Sequence, residues 1–299
     1  MLQHYNPKNA DLQVYVKDRL IHRDEGGVSV FDSVVQGGDA VWEGLRLYKE
    51  GILHLSSHLQ RMRESAKALS FENVPSDNDV KAAIKMTLEA NGMKDETHLR
   101  LTLTRGEKVT SGMDPRLNQN GCTLIVLAEW KALVYDNDTG IKVITSTQRR
   151  NGPQFLDSKI HHNNLLNNII AKIQANQANA NAAIMLDDHG FISELNDTNV
   201  FMLKDGDLVT PHADACLPGI SREMVMKEAE GRGIKVAEKN ISLSEFYNAD
   251  FAFGTGTMGQ LTPILEADGR TIGNAEGRLL FDKINDSFVQ AIPQNCELL

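Results

Sequence analysis

Apolar and polar residues alternate along Leu12-Gln-Val-Tyr-Val16, Leu45-Arg-Leu-Tyr48 and Ile52-Leu-His-Leu55, which is the period of short strands with one buried face. The turn Lys49-Glu-Gly51 joins the last two as a hairpin. The period then lengthens. Leu59, Met62, Ala66 and Leu69 recur at helical spacing across His58 to Leu69, with Ser56 or Ser57 placed to cap the helix. A second helix is expected after Ser76, over Val80 to Ala90, with Asn91-Gly92 as its stop. Strand character returns in His98 to Thr104 and Thr123 to Ala128, on either side of the long polar loop Arg105 to Asn120. This mixture predicts an α+β first domain.

Around Trp130 to Gly140 the chain turns polar and meets a glycine, as an interdomain connector does. Beyond it the pattern predicts a strand at Ile141 to Thr145 and strands at Ala183 to Leu186, Phe191 to Ser193, Val200 to Leu203 and Leu208 to Thr210. The turns Asp187-Asp-His-Gly190 and Lys204-Asp-Gly-Asp207 have hairpin spacing. The Asn- and Ala-rich stretch 164–181 carries Leu165, Leu166, Ile169, Ile170 and Ile173 on one helical face, so an amphipathic helix is expected there. The resulting division is a smaller α+β domain over 1–131, a connector over 132–140 and a larger domain over 141–299, an α/β (α+β) protein overall.

With 299 residues, 41% of them hydrophobic, the chain can bury a core larger than single cores usually become. A net charge of −9 argues against nucleic-acid or anionic-membrane partners. The stretch from Met1 to Pro7 lacks a basic region followed by apolar residues, and no apolar run is long enough to span a bilayer, so a cytoplasmic location is expected. Cys122, Cys216 and Cys296 are odd in number and widely spaced, which predicts free thiols and neither a disulfide framework nor a zinc site.

Candidate chemistry centres on Lys159, in Asp-Ser-Lys159-Ile-His-His-Asn-Asn, and on Glu194-Leu-Asn-Asp-Thr-Asn199-Val-Phe201, with Leu208-Val-Thr210 and Leu217-Pro-Gly-Ile-Ser-Arg222 downstream. Together with Val41-Trp-Glu-Gly-Leu-Arg-Leu-Tyr48 and the run Phe253 to Pro263, these segments resemble the class IV aminotransferases. That pyridoxal-phosphate family contains branched-chain aminotransferases, D-amino-acid aminotransferases and aminodeoxychorismate lyases. The resemblance spans nearly the whole chain. It implies the two-domain fold type IV of the D-amino-acid aminotransferases and a homodimer.

Pyridoxal 5′-phosphate needs a primary amine that bonds its aldehyde and later carries a proton between Cα and C4′. By resemblance that amine is Lys159. It also needs a carboxylate that keeps the pyridine nitrogen protonated, which the resemblance places at Glu194. Its phosphate calls for cations and free N–H groups. The segment 217–223 reads as a loop opening a helix through Met224 to Glu230, and helix N-termini present such donors to anions. Ile220 and Ser221 are accordingly assigned to the phosphate, although Ser221 could simply cap the helix. By resemblance the turn at Gly256 and Thr257 and the guanidinium of Arg61 serve it too, with Arg63 on another side of the helix and solvated.

Substrate contacts implied by the resemblance are Arg100, for the carboxylate, with His98 and Met258; Trp42 is expected to pack in the first-domain core and otherwise to line the pocket wall as a substrate contact. The family's substrate-pocket tyrosines are replaced here by Gly37, His98 and Asn164. Pro115-Arg116 is similar to the basic loop of D-amino-acid aminotransferases and offers a second carboxylate ligand. His161 and His162 lack a nearby third ligand and are read as pocket-lining or structural imidazoles, not as metal ligands. The expectation is a transaminase acting between an amino acid, branched-chain L-amino acids favoured, and a 2-oxo acid. D-amino acids, (R)-amines or a lyase reaction on aminodeoxychorismate are the alternatives.

Overall fold

The computed structural model describes residues 5–299; Met1 to His4, which begin the N-terminal stretch considered above, lie outside the described residues. In chain order the first elements are β1 Gln13–Val16, β2 Arg19–His22, α1 Ser33–Gly37, β3 Ala40–Tyr48, β4 Gly51–Leu53, α2 Leu55–Ala68, α3 Asp77–Asn91, β5 Thr97–Thr104 and β6 Thr123–Trp130. They are followed by β7 Ile141–Thr145, α4 Leu166–Gln177, β8 Ala182–Leu186, β9 Ile192–Leu195, β10 Asn199–Lys204, β11 Asp207–Thr210 and α5 Ile220–Gly231. The last are β12 Val236–Glu238, α6 Leu243–Tyr247, β13 Phe251–Gly256, β14 Gln260–Ala267, β15 Arg270–Thr271, α7 Ala275–Ala291 and β16 Cys296–Glu297. Two compact units result. The N-terminal unit runs to Ala132 and also takes Ile160–Asn164 and Pro293–Leu299, while the C-terminal unit is Leu133–Lys159 with Leu165–Ile292.

In the N-terminal unit an antiparallel sheet runs in the order β16-β4-β3-β5-β6-β1-β2. One face is buried under α2 and α3: Val41, Leu45 and Leu47 of β3 and Leu99, Leu101 and Leu103 of β5 pack with Leu59, Met62 and Ala66 of α2 and Val80 and Ile84 of α3. Ser76 caps α3 in a reciprocal capping box with Asp79, and Gly92 ends it in the left-handed region at φ 66°, as the sequence predicts. The cap of α2 differs from expectation. His54, held at φ 49°, occupies the cap position without a side-chain bond to the helix end, whereas Ser56 is engaged by Glu297 of β16. The C-terminal return of the chain has taken the serine that sequence spacing assigned to the cap.

In the C-terminal unit the sheet order is β12-β11-β10-β13-β14-β7-β8-β9, with β15 on β14. The pairs β14–β7, β7–β8 and β11–β12 are parallel and the others antiparallel. The strands β8, β9 and nearly all of β10 are buried along their length; β8 and Val200 to Leu203 of β10 read as continuous apolar runs, whereas β9 buries Ser193 and Glu194. Helix α4 is where the pattern misleads. It buries Ala171 and Ala175, while Ile169, Ile170 and Ile173 remain 49, 43 and 48% exposed and Leu166 also faces outward. The small alanines allow a close approach to β8, and the bulkier stripe is left on the outside.

Candidate active site

Glu194 lies on β9 opposite Met185 of β8 and is buried. Its carboxylate accepts from Nε of Arg150 at 2.5 Å and from Nδ2 of Asn199 at 3.2 Å. Burial pushes the Glu194 carboxyl up, and Arg150 opposes that shift. The five-residue spacing from Glu194 to Asn199 has a mechanical cause. The chain leaves β9, closes a turn through the bond from Leu195 N–H to Thr198 O at 2.8 Å, and re-enters the sheet as β10 with Asn199 at its head.

Asn199 also donates to the carbonyl of Leu217 at 2.9 Å, tying the acid to the loop that opens α5. Gly219 is the N-cap of that helix, and a Cβ there would overlap Asn199 Oδ1. Glycine is therefore required by the close approach. No side chain caps α5. Ile220 and Ser221, its first two helical residues, present N–H groups that have no place in the helical ladder. Ser221 is inside the helix and is not its cap. Across the sheet, Asn199 pairs with Thr255 of β13, whose hydroxyl, like that of Thr198, is buried without a hydrogen-bond partner. Gly256 ends β13, Thr257 follows in the turn, and the carbonyl of Met258 accepts from Val134 N–H at 3.0 Å. The buried acid, the uncapped helix end and the orphaned hydroxyls suit a ligand with a basic ring nitrogen and a phosphate.

Lys159 is exposed on the loop between β7 and α4. Its backbone N–H donates to Asp157 Oδ1 at 2.9 Å, and its ammonium has no ion pair among the described residues. The loop is anchored at Arg150, whose N–H bonds Leu186 O, and at Ser158, whose hydroxyl bonds Asn151 O at 2.6 Å. Sequence reasoning missed Arg150. It lies 44 residues before its partner Glu194, and the only available signal was a buried acid in need of a cation.

In the N-terminal unit Arg61 does not stand alone. Glu43, fully buried on the helix-facing side of β3, accepts from Arg61 Nε and Nη2 at 2.8 and 2.7 Å, from His58 Nδ1 at 2.6 Å and from His161 Nδ1 at 3.0 Å. An ionised carboxylate can only accept, so both imidazoles carry their proton on Nδ1. Burial alone would raise the Glu43 carboxyl, but His161 and Arg61 together hold it well below the usual carboxylate range. Burial keeps His161 below its ordinary value against the pull of Glu43, so at neutral pH it is an uncharged donor and Arg61 supplies the counter-charge. Because the folded pKa of Glu43 is depressed, its contribution to stability is present above the unfolded value of about 4.3 and lost as pH falls through the folded one. Urea midpoints of wild type should therefore drop from pH 7 to pH 3 more steeply than those of Glu43→Gln. Parallel slopes would count against this assignment. Arg63, by contrast, is half exposed and pairs with Asp77.

The opposite face of the same sheet carries Trp42, Gly44 and Arg46 of β3 beside Thr102, Arg100 and His98 of β5. Strand alternation sends Glu43 into the core and Trp42 out of it, which corrects the core placement of Trp42. Its ring lies 3.9 Å from the guanidinium carbon of Arg100 and 4.1 Å from the ring of His161. Arg100 donates to Asn163 Oδ1 at 3.2 Å and has no acidic partner among the described residues. Burial, with the cations of Lys131, Arg100 and Arg46, pushes His98 down to about 3, and neither of its ring nitrogens has a partner. A half-buried cation without a counter-charge beside a neutral imidazole is a receptive place for a carboxylate. Arg116 instead lies in the solvent, paired with Asp114 two residues away. Of the described residues, Asp187, Asp188 and His189, at the exposed turn before β9, bring three potential metal ligands together; His161 and His162 do not.

The amino-transferase class IV family profile matches residues 40–267. The branched-chain-amino-acid aminotransferase-like protein 2 of Arabidopsis thaliana is 58% identical over 90% of this chain and 48% of its own length. The chain thus spans about half the length of that relative. Among solved structures, the branched-chain aminotransferase of Thermoproteus uzoniensis with norvaline superposes at a TM-score of 0.88 with 28% identity, covering 96% of both chains. The branched-chain amino acid aminotransferase of T.th. with pyridoxamine 5′-phosphate superposes at 0.86 with 26% identity, covering 95% of both.

Proposed function

We propose that this chain, which belongs to the amino-transferase class IV family, moves an amino group between an amino acid and a 2-oxo acid with pyridoxal 5′-phosphate as its cofactor. The observation that carries this reading is the link from buried Glu194 through Asn199 to the uncapped start of α5. When bound, the cofactor supplies an electron sink for the charge left at Cα. Glu194 keeps the pyridine nitrogen protonated, and Arg150 and Asn199 aim its carboxylate. The amides of Ile220 and Ser221, the Ser221 hydroxyl and the turn Gly256-Thr257 take the phosphate. Lys159, whose amine no neighbouring acid engages, holds the cofactor aldehyde and then carries the proton between Cα and C4′.

Arg100 takes a substrate carboxylate, with His98 and Trp42 beside it on the same sheet face, and Met258 of the C-terminal unit is read separately as a further substrate contact. Branched-chain L-amino acids are the favoured donors, supported by the names of the relatives at 58 and 28% identity. The protein is read as a cytoplasmic homodimer; its three free cysteines and the outward isoleucines of α4 support that reading. No helix among the described residues is long and apolar enough to cross a membrane.

One panel tests these assignments: L-leucine, L-isoleucine and L-valine with 2-oxoglutarate, then D-alanine and an (R)-amine with pyruvate, on protein whose mass has been measured by sedimentation. Exchange with the three L-amino acids is expected, from a species of two chains. Reaction of D-alanine or the (R)-amine alone would overturn the branched-chain assignment. Release of pyruvate from aminodeoxychorismate without any 2-oxo acid would make the chain a lyase, and a single-chain mass would remove the homodimer.

A further inference from the structure

The five residues after Lys159 belong to the N-terminal unit, where they lie along the free edge of β3. Strand β5 covers one edge of β3 throughout, and β4 reaches only Leu47 and Tyr48 on the other. The Ala40–Trp42 end of that edge is taken by this segment: Trp42 N–H bonds His161 O at 2.9 Å, and Asn163 N–H bonds Ala40 O at 2.8 Å. The indole Nε1 of Trp42 donates to His162 O at 3.2 Å, and His161 N–H donates to Ser65 Oγ of α2 at 3.1 Å. Side chains then extend the contact. The imidazole of His161 is held by Glu43 and lies 4.1 Å from the indole of Trp42, against which the Arg100 guanidinium lies at 3.9 Å. Asn163 accepts from the same guanidinium.

We propose that His161 is a positioning residue for Arg100: its ring, oriented by Glu43, braces the Trp42 indole on which the guanidinium rests, and so sets the carboxylate specificity of the site. The inference rests on the reading of Arg100 as the carboxylate ligand. Stacking on an aromatic face fixes the plane of a guanidinium without consuming its N–H groups, which leaves the fork available for a bidentate carboxylate. An indole that could tilt would let that fork wander. The brace is built from residues of four separate stretches, β3, α2, β5 and the segment after Lys159, so its geometry is over-determined.

Two substitutions separate the ring from the hydrogen bond. His161→Gln keeps a donor for Glu43 and removes the ring, whereas His161→Phe keeps the ring and removes the donor. In a Trp130→Phe background Trp42 is the remaining tryptophan, so its fluorescence reports binding of glutarate or isovalerate without turnover. His161→Gln is expected to weaken carboxylate binding about 10-fold and to raise KM similarly with kcat changed less than about 2-fold, while His161→Phe stays within about 3-fold of wild type. The reverse ranking, or unchanged binding in His161→Gln, would overturn the brace. A fall in kcat as large as that in kcat/KM would do so as well. A wild-type protein that exchanges amino groups while its fluorescence ignores both carboxylates, with Arg100→Ala also silent, would overturn the Arg100 assignment and the brace with it.

Discussion

Lys159→Ala is expected to lower amino-group exchange by on the order of 10⁴-fold or more while leaving thermal stability within about 0.5 kcal/mol of wild type. The two halves of that expectation have separate origins. Lys159 is exposed, its ammonium has no ion pair among the described residues, and its one anchoring bond, from the backbone N–H to Asp157, survives truncation of the side chain. Little folding energy is therefore at stake. The chemistry, by contrast, asks one amine both to hold the aldehyde and to carry the proton, and no other lysine stands in the segment from Arg149 to Ala171. With pyridoxal 5′-phosphate added, wild type should gain a visible absorbance that borohydride fixes covalently to Lys159, and the variant should gain none. Exchange within about tenfold of wild type would remove Lys159 from the reaction.

The role proposed for Lys159 is one that local sequence context suggests whatever the exposure of the residue. Residues near a functional loop announce themselves through local context, and Lys159, Glu194, Asn199 and the Gly219 to Ser221 turn all sit in short runs whose spacing follows from a turn or a helix start. The helix α3, with Ser76 and Gly92 at its ends, and the hairpins at 187–190 and 204–207 were legible for the same reason. What was not legible depends on partners distant along the chain. Arg150 meets Glu194 across 44 residues, and Glu43 meets His161 across 118. The cap of α2 was misread because Glu297, 241 residues away, claims Ser56. For α4, periodicity identified an apolar face without saying what covers it, and in this unit the alanines face the sheet. The sandwiching of Trp42 escaped notice because alternation shows which residues share a face, whereas packing decides which face is core.

The largest stability effect should come from Glu194. Arg150 cannot lose its proton, and it is buried with one further acceptor, Asn167 Oδ1 at 3.4 Å. Glu194→Ala therefore strands a guanidinium in the interior, and removal of one member of such a pair costs about 3–5 kcal/mol. Loss of activity in that variant would on its own say little, because a weakened fold and a missing pyridinium partner predict the same result. Replacing both members by apolar residues of similar size, Glu194→Leu with Arg150→Met, removes the stranded charge and is expected to recover most of the stability. Activity should not return with it, since no carboxylate is left to hold the pyridine nitrogen in its protonated form. Urea midpoints and exchange rates measured across wild type, the single and the double variant thus separate the two roles. If the double variant regained both, Glu194 would be a structural counter-ion to Arg150, and the proton on the pyridine nitrogen would need another source.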